Sequence, residues 1–312
     1  CMQNHDSPAF ALVHDKMGDE EHRLTTHLLD PGVVSGGLLD ECRGAVMMSG
    51  TLFPPQMYYD LLNVPEGRVS IVKEYTSHFL TERRPVLIAK DVTSRYAERG
   101  EENTARIRKH IHSVLRETPG HVAVFAPSYA MLEQIVLEDE DWAVRRRHLL
   151  EERSGASKEQ MDRMVDRLHQ LRRSKTPALL AGVLGGKLAE GVDYPDNILD
   201  AVICIGLPLP PPSARQDALK DYYEDAYGSV RAWRYASSQP AVNRLMQALG
   251  RPIRKAADRA LVVLLEKRLM QRGFKICMPD GVHVVETIDS DRTARHAERF
   301  FKKHPDPARY SE

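Results

Sequence analysis

Cysteine is scarce in this chain. Four are present in 312 residues, Cys1, Cys42, Cys204 and Cys277, far apart and without a CxxC pair. This spacing excludes a zinc ribbon, an iron–sulfur run and a small disulfide framework within these residues. Cys204 falls in the apolar run AVICIGL and reads as a core thiol. Long apolar runs are lacking as well: none approaches the ~18 residues that would cross a bilayer. The opening Cys1-Met2-Gln3-Asn4-His5-Asp6 has neither the basic nor the apolar region of a secretory leader, so no membrane association is expected. There is no excess of either charge, with Lys+Arg and Asp+Glu both at 44. That argues against a nucleic-acid coat protein and leaves room for a local basic groove. The 13 histidines show no HExxH or comparable ligand spacing, and no metal site is assigned.

What is present is size and alternation. At 312 residues, 42% apolar and 28% charged, the chain can hold one large α/β domain or two smaller ones. Residues 9–13 and 23–29 read as short strands, 37–42 as a helical turn, 44–48 (GAVMM) as an apolar strand, and 54–62 as a helix opened by proline. After Gly67 come strands at 69–72 and 85–89 and a polar-faced helix over 101–117 closed by Pro119-Gly120. A regular alternation follows: strand 121–126, helix 128–137, strand 144–149, helix 157–173, and strands 178–184 and 201–207. Helices over 213–227 and 229–249, a buried strand over 260–265 and a charged helix over 289–303 complete the pattern. Strands alternating with helices imply βαβ units and a mostly parallel sheet with helices on both faces. A domain boundary is expected near residue 70.

The chain is organised around AVNRLMQALGRPIRKAADRALVVLL, residues 241–265. Gln247, Arg251 and Arg254 fall at i, i+4 and i+7, which on a helical template places them on one face. Pro252 is expected to end or bend that helix, and ALVVLL reads as a buried parallel strand. A glutamine and two arginines on one rigid face suit the reading of a triphosphate, because the guanidinium is a planar fork of donors that never deprotonates. Taken alone, QxxGRxxR reads more simply as a solvated surface helix, so the other segments decide.

Three of them combine small and polar residues beside apolar strands: Met48-Ser49-Gly50-Thr51-Leu52, Val124-Phe125-Ala126-Pro127-Ser128-Tyr129, and Gly185-Gly186-Lys187-Leu188-Ala189-Glu190-Gly191-Val192-Asp193-Tyr194. In an open α/β sheet the loops at the carboxyl ends of the strands converge on one crevice, so all four segments can line one site. Gly185, Gly186 and Gly191 let backbone approach a ligand closely. Ser128 and Tyr129 at a helix N-terminus suit a nucleic-acid phosphate, with ordinary packing as the alternative for Tyr129.

Two look-alikes fail on chemistry. GVLGGKL, residues 182–188, is one residue short of a phosphate loop and has Leu188 where a Mg²⁺-binding hydroxyl is required. Asp19-Glu20-Glu21-His22 echoes a DExH box but follows Lys16-Met17-Gly18 instead of a buried strand. The basic runs Arg145-Arg146-Arg147-His148 and Arg172-Arg173 with Lys175 read first as solvated faces and second as contacts to a DNA backbone. Trp233 and Tyr235, close to Arg231 and Arg234, are candidates for stacking on single-stranded bases.

In order and spacing the four segments resemble helicase motifs III, IV, V and VI of the XPD/DinG branch of superfamily II helicases. MSGTLFPPQMYYDLL from Met48, KDVTSRYAERGEEN from Lys90 and DRALVVLLEKRL from Asp258 share the resemblance, as does Leu28-Leu29-Asp30-Pro31; it runs from about residue 24 to about residue 270. The resemblance implies a RecA-like α/β fold of the P-loop NTPase type that lacks its own phosphate loop. Residues 1–70 would border a first motor lobe and residues 71–312 would form the second. It further implies a 5′-to-3′ ATP-dependent DNA helicase, in DNA repair, sharing ATP and Mg²⁺ with the first lobe. An iron–sulfur cluster would lie outside these residues.

By the same resemblance Arg254 is the arginine finger, Arg251 faces the γ-phosphate beside it, and Gln247 bonds to the nucleotide or to nearby motifs. Gly186, Lys187, Glu190, Gly191 and Asp193 belong to the nucleotide-facing loop, with Asp193 bonding ribose or a neighbouring motif and Glu190 holding an arginine. Ser49, Gly50 and Thr51 would couple nucleotide state to DNA grip, while Ser128 and Tyr129 would hold DNA, single-stranded by preference. The family's phosphate loop, DExH box and four cluster cysteines are not among these residues, and the chain opens on Cys1. The expectation is the C-terminal part of a longer helicase, inactive alone. Its compartment would be the cytoplasm and nucleoid of a prokaryote or the nucleus of a eukaryote. The alternative is a non-catalytic module that keeps the lobe to bind nucleic acid or protein.

Overall fold

The computed structural model describes residues 7–16, 21–77 and 79–306. Residues 19 and 20 of the Asp19-Glu20-Glu21-His22 look-alike lie outside them. The chain divides into two compact units, Cys1–Tyr75 with Leu209–Asn243 and Thr76–Pro208 with Arg244–Glu312. The strands of the described residues are β1 (Phe10–Lys16), β2 (His22–Leu28), β3 (Val86–Ala89), β4 (His121–Ala126), β5 (His148–Glu151), β6 (Ala178–Val183), β7 (Leu199–Ile205), β8 (Leu261–Leu265) and β9 (Val284–Thr287).

The larger unit is one seven-stranded sheet in the order β5-β6-β4-β7-β8-β3-β9, with every neighbouring pair parallel. Leu87, Val122, Val124, Leu179, Ala181, Ala201, Ile203, Leu261 and Val263 pack with Ile107, Ile111 and Val114 of the helix Glu101–Glu117 and with Ala297 and Phe300 of the helix Ser290–Lys303. The residues of opposite parity, among them Ile88, Phe125, Leu180, Val202, Cys204 and Leu264, are buried just as completely. Both faces of the sheet are therefore covered, which is why these strands read as continuous apolar runs instead of alternating ones. Each such aliphatic side chain contributes about 1.5–3 kcal/mol of burial.

The helices carry their own end signals. Glu101 and Glu102 stand in the first turn and Arg116 in the last turn of Glu101–Glu117, matching the helix dipole. Ser157 and Gln160 form a reciprocal capping box on Lys158–Arg173.

The smaller unit holds the antiparallel hairpin β1–β2, in register from Phe10 opposite Leu28 to Lys16 opposite His22. Its core is aromatic: Met57, Tyr223, Ala232, Tyr235 and Ala236, with Tyr58, Leu61, Tyr222 and Tyr227 packed against them. The Tyr235 hydroxyl donates to Asp60 at 2.7 Å and the Tyr222 hydroxyl to Asp30 at 2.8 Å.

Four expectations need correction. A single cut near residue 70 does not describe the division, because the tyrosines of the segment Leu209–Asn243 bury their rings with Met57 and Leu61. Residues 44–48 and 69–72 form no strand, having no neighbouring strand to pair with among the described residues. The strand expected at 144–149 is a helical turn, Trp142–Arg145, followed by β5, because the Asp141 carboxylate caps that turn by accepting from the Ala143 N–H at 2.7 Å. Finally β9, at the sheet edge, was not foreseen.

Candidate functional site

Beyond β6 the backbone turns through Gly185, at φ +82°, into a π-helical turn over Lys187–Gly191. The Leu184 N–H donates to the Ala126 carbonyl at 2.8 Å, so this loop leaves the sheet beside the end of β4 and Ser128. Beneath the loop lies Glu152, 2% exposed, one residue past β5. Its carboxylate accepts from the N–H groups of Val183, Lys187 and Leu188 at 3.3, 2.7 and 3.4 Å. A Cβ at Gly186 would sit 2.6 Å from one Glu152 oxygen and 2.8 Å from the other, and one at Gly182 would sit 2.8 Å from the nearer oxygen. The close approach that these glycines permit is thus to Glu152. Three N–H groups of the phosphate-loop look-alike GVLGGKL, those of Val183, Lys187 and Leu188, are thus engaged by the chain's own carboxylate.

The helix Gln239–Gly250 stops short of Pro252, so the expectation of one helical face for Gln247, Arg251 and Arg254 is corrected: Gln247 stays on the helix, half-buried, and both arginines follow it on irregular backbone. The fold still brings the arginines to the loop. Arg251 donates from Nε to the Ala189 carbonyl at 2.7 Å, from one terminal nitrogen to the Val192 carbonyl at 2.9 Å, and from the other to the Glu190 carbonyl. Burial, and after it the charge of Arg254, pull the Arg251 guanidinium below its ordinary pKa. Arg254 donates from Nε to the Asp193 carboxylate at 2.7 Å, and its backbone N–H donates to Asp258 at 2.6 Å.

Asp193 thus binds Arg254, while Arg251 meets Glu190 only at its backbone carbonyl. The Glu190 carboxylate oxygen Oε1 is buried without a partner. The Lys187 ammonium donates to the Ala156 carbonyl. Tyr194 lies fully buried, its hydroxyl donating to the Leu188 carbonyl at 2.9 Å; burial, and then the Glu152 charge, drive its pKa far up.

Of the residues assigned to DNA, Ser128 is exposed and caps a short helical turn, its Oγ accepting from the Met131 N–H at 3.3 Å. Tyr129 is also exposed, and burial, then Glu152, raise its pKa. Ser49 and Thr51 belong to the smaller unit, where Thr51 N–H donates to Ser49 Oγ at 3.2 Å.

Two basic runs prove partly structural. Arg147 is buried and donates to the carbonyls of Leu115, Gly120 and Thr118 at 2.6, 2.5 and 2.7 Å, closing the end of the helix Glu101–Glu117. Arg172 donates to the Asn197 carbonyl and to Asp306, both at 2.8 Å. Tyr235 is a core residue and not a base-stacking one.

Besides Glu152, the buried carboxylate Glu266 escaped the sequence reading. Glu266, 0% exposed at the end of β8, accepts from Thr93 Oγ1 at 2.7 Å, Ser94 Oγ at 3.0 Å and the Arg268 guanidinium at 2.8 Å, tying the chain after β3 to the chain after β8. An acidic residue directly after the apolar run LVVLL was the available signal.

Residues 111–283 match the family described as Helicase C-terminal domain, more than half of the chain. The chain is 25% identical over 267 residues to the ATP-dependent DNA helicase chl-1 of Caenorhabditis elegans, covering 82% of this chain and 32% of that protein. It is 26% identical over 275 residues to the putative ATP-dependent DNA helicase DDX11-like protein 8 of Homo sapiens, covering 80% and 30%. The chain thus spans about a third of the length of these curated relatives. A solved XPD helicase structure superposes with a TM-score of 0.64 at 22% identity over 85% of this chain and 46% of that one, which identifies the sheet as RecA-like. On this match the chain belongs to the Helicase C-terminal domain family, and its resemblance there is to XPD- and CHL1-type DNA helicases.

Proposed function

We propose that the chain is the second motor lobe of an ATP-dependent DNA helicase and that Arg254 is the guanidinium it lends to the γ-phosphate of a nucleotide held by the first lobe. The contrast between the two arginines carries this reading. Arg251 would have to give up hydrogen bonds to Ala189, Glu190 and Val192 to reach a ligand. The Arg254 guanidinium is held by the Asp193 carboxylate and, at 3.4 Å, by the Gly250 carbonyl, and the Arg254 and Asp193 side chains are partly exposed, 38% and 70%. An exposed pair of this kind is worth about 0–1 kcal/mol, so its exchange for a phosphate costs little. Arg254 is therefore the finger, and Arg251 holds the loop that carries Asp193.

A planar guanidinium fits a nucleotide's terminal phosphate. ATP and Mg²⁺ are shared with the first lobe. The iron–sulfur cluster is assigned outside this chain, and the isolated chain is not expected to hydrolyse ATP. Ser128 and Tyr129 contact single-stranded DNA, and Ser49, Gly50 and Thr51 relay nucleotide state to that contact. Residues 44–48, apolar and without a strand partner here, would pair as a strand with the first lobe's sheet. Unwinding runs 5′ to 3′, in repair, in the compartment that holds the DNA; among the described residues no helix is long and apolar enough to cross a membrane.

The test compares Arg254→Ala with wild type in the protein carrying both lobes. Loss of an arginine finger lowers DNA-stimulated ATP turnover by ~10³–10⁵. Equal turnover would leave a binding scaffold as the better description.

A further inference from the structure

We propose that Glu152 is a positioning residue of the motor site. Its carboxylate and the Arg251 guanidinium clamp opposite ends of the Lys187–Gly191 turn, and the clamp sets where Asp193 presents Arg254. Only the activity arm of the test rests on the function proposed above.

A carboxylate buried as deeply as Glu152 costs several kcal/mol unless its oxygens are hydrogen-bonded. The bonds it makes are to N–H groups converging at the start of the turn, where the peptide dipoles present their positive ends. Arg251 takes the carbonyls of Ala189, Glu190 and Val192 at the other end, where those dipoles are negative. Anion and cation are each placed against the end of opposite sign. Between them the Tyr194 hydroxyl holds the Leu188 carbonyl.

The turn is thereby fixed to the strand edge through Glu152 and to the segment after helix Gln239–Gly250 through Arg251. Asp193 lies two residues past the turn and one residue past Val192, whose carbonyl Arg251 grips. Gly182 and Gly186 belong to the same device, since a side chain at either would collide with the Glu152 carboxylate. Freeing the N–H end would let the turn slide and carry Asp193 with it. The nucleotide would then still bind through the first lobe, but the finger would be misplaced.

Two measurements test the clamp. In this chain, amide hydrogen exchange is compared between wild type and Glu152→Gln, which keeps the side-chain volume but sets an NH₂ group against backbone donors. Exchange should quicken roughly tenfold, the effect of losing one hydrogen bond to a charged group, at Lys187 and Leu188 and also at residues 191–193. Quickening confined to Lys187 and Leu188 overturns the clamp.

In the two-lobed protein, Glu152→Ala should lower kcat for ATP by about tenfold with little change in KM, the pattern of a lost transition-state contact. Acetate, filling the vacated space with a carboxylate, should restore part of that rate where chloride at equal ionic strength does not. A raised KM with kcat intact, or equal effects of acetate and chloride, also overturns it. If wild type itself lacks DNA-stimulated ATP turnover, the helicase reading fails while the exchange data still decide the clamp. If Glu152→Ala does not fold, Glu152→Gln carries the exchange comparison and the kcat-against-KM comparison without acetate, and a raised KM with kcat intact overturns the clamp as before.

Discussion

Two loops of this chain carry the same kind of sequence, an apolar run and then glycine with small polar residues, yet they have different fates. Residues 178–191 form β6 and its turn, held by Glu152 beneath and Arg251 above. Residues 44–52 form neither strand nor helix; Val46 and Met48 stand 87% and 88% exposed, and the Thr51 N–H donates to Ser49 Oγ at 3.2 Å. The difference is in the neighbours. β6 lies between β4 and β5 and exchanges ladder hydrogen bonds with both, whereas GAVMM pairs with no strand among the described residues. An apolar strand signal is a request for a partner, and the partner decides whether a strand forms. In the proposed two-lobed protein that partner is the first lobe.

The largest effect that sharpens this comparison separates the two arginines. Arg254→Ala should remove most ATP turnover and leave folding nearly unchanged, since its exposed ion pair is worth at most about 1 kcal/mol. Arg251→Ala should do the reverse in an equilibrium urea titration of this chain. It strands loop carbonyls and should cost ~1–3 kcal/mol, the penalty for a buried group left unsatisfied. Equal loss of stability in both variants would mean that the clamp and the finger are not distinct.

The second contrast sets one glycine against another. Gly186→Ala puts a Cβ within 2.6 Å of Glu152 and 2.8 Å of the Val183 side chain. Overpacking of that kind costs about 1–3 kcal/mol. Gly50→Ala meets nothing within 4 Å and has no positive φ, so its stability should stay within about 0.5 kcal/mol of wild type. A destabilised Gly50→Ala would show that the bare loop is packed in solution after all.

A third, smaller effect compares the units through pH. Glu266 is held below its ordinary value of 4.5: burial opposes ionisation most, but hydrogen bonds from Arg268, Ser94 and Thr93 and the Arg268 charge outweigh it. A depressed carboxylate stabilises the fold above pH 4.5 and loses that contribution as pH falls through the lower folded value. Glu266→Gln should flatten the acid limb of the larger unit's stability. An unchanged acid limb would remove Glu266 from the network tying β3 to β8.

Much of the larger unit was legible because its strands are buried on both faces and its helices carry a clear 3.6-residue period; β4, β6, β7 and the helix Glu101–Glu117 follow the sequence pattern closely. The edge strands were harder. β9, VVET, is short and half exposed, and β5 is preceded by a helical turn that an apolar count reads as strand. At the site, the arginines were legible as residue types but not as geometry, since Pro252 takes them off the helix. Glu152 was not legible at all. Its partners Val183 and Lys187 lie 31 and 35 residues away, a separation that no local pattern encodes. Burial of a lone carboxylate is a tertiary fact.

The smallest effect belongs to the aromatic core of the other unit and appears only in alkali. Burial, and then the hydrogen bond and charge of Asp60, push Tyr235 from 10.0 up to about 12. A phenol raised in the folded state adds stability that is complete below pH 10 and is lost as pH climbs toward about 12. The Asp60 share of that shift is separable from the burial share. Asp60→Asn removes the neighbouring charge but leaves an oxygen able to accept from the Tyr235 hydroxyl, so the ring stays in place. One phenolate transition, followed by ultraviolet absorbance, should then move down from about 12 toward 10 while Tyr222, which bonds Asp30 instead, keeps its own value. If the Tyr235 transition does not move, burial among Met57, Tyr223 and Ala236 sets its value and the Asp60 charge does not.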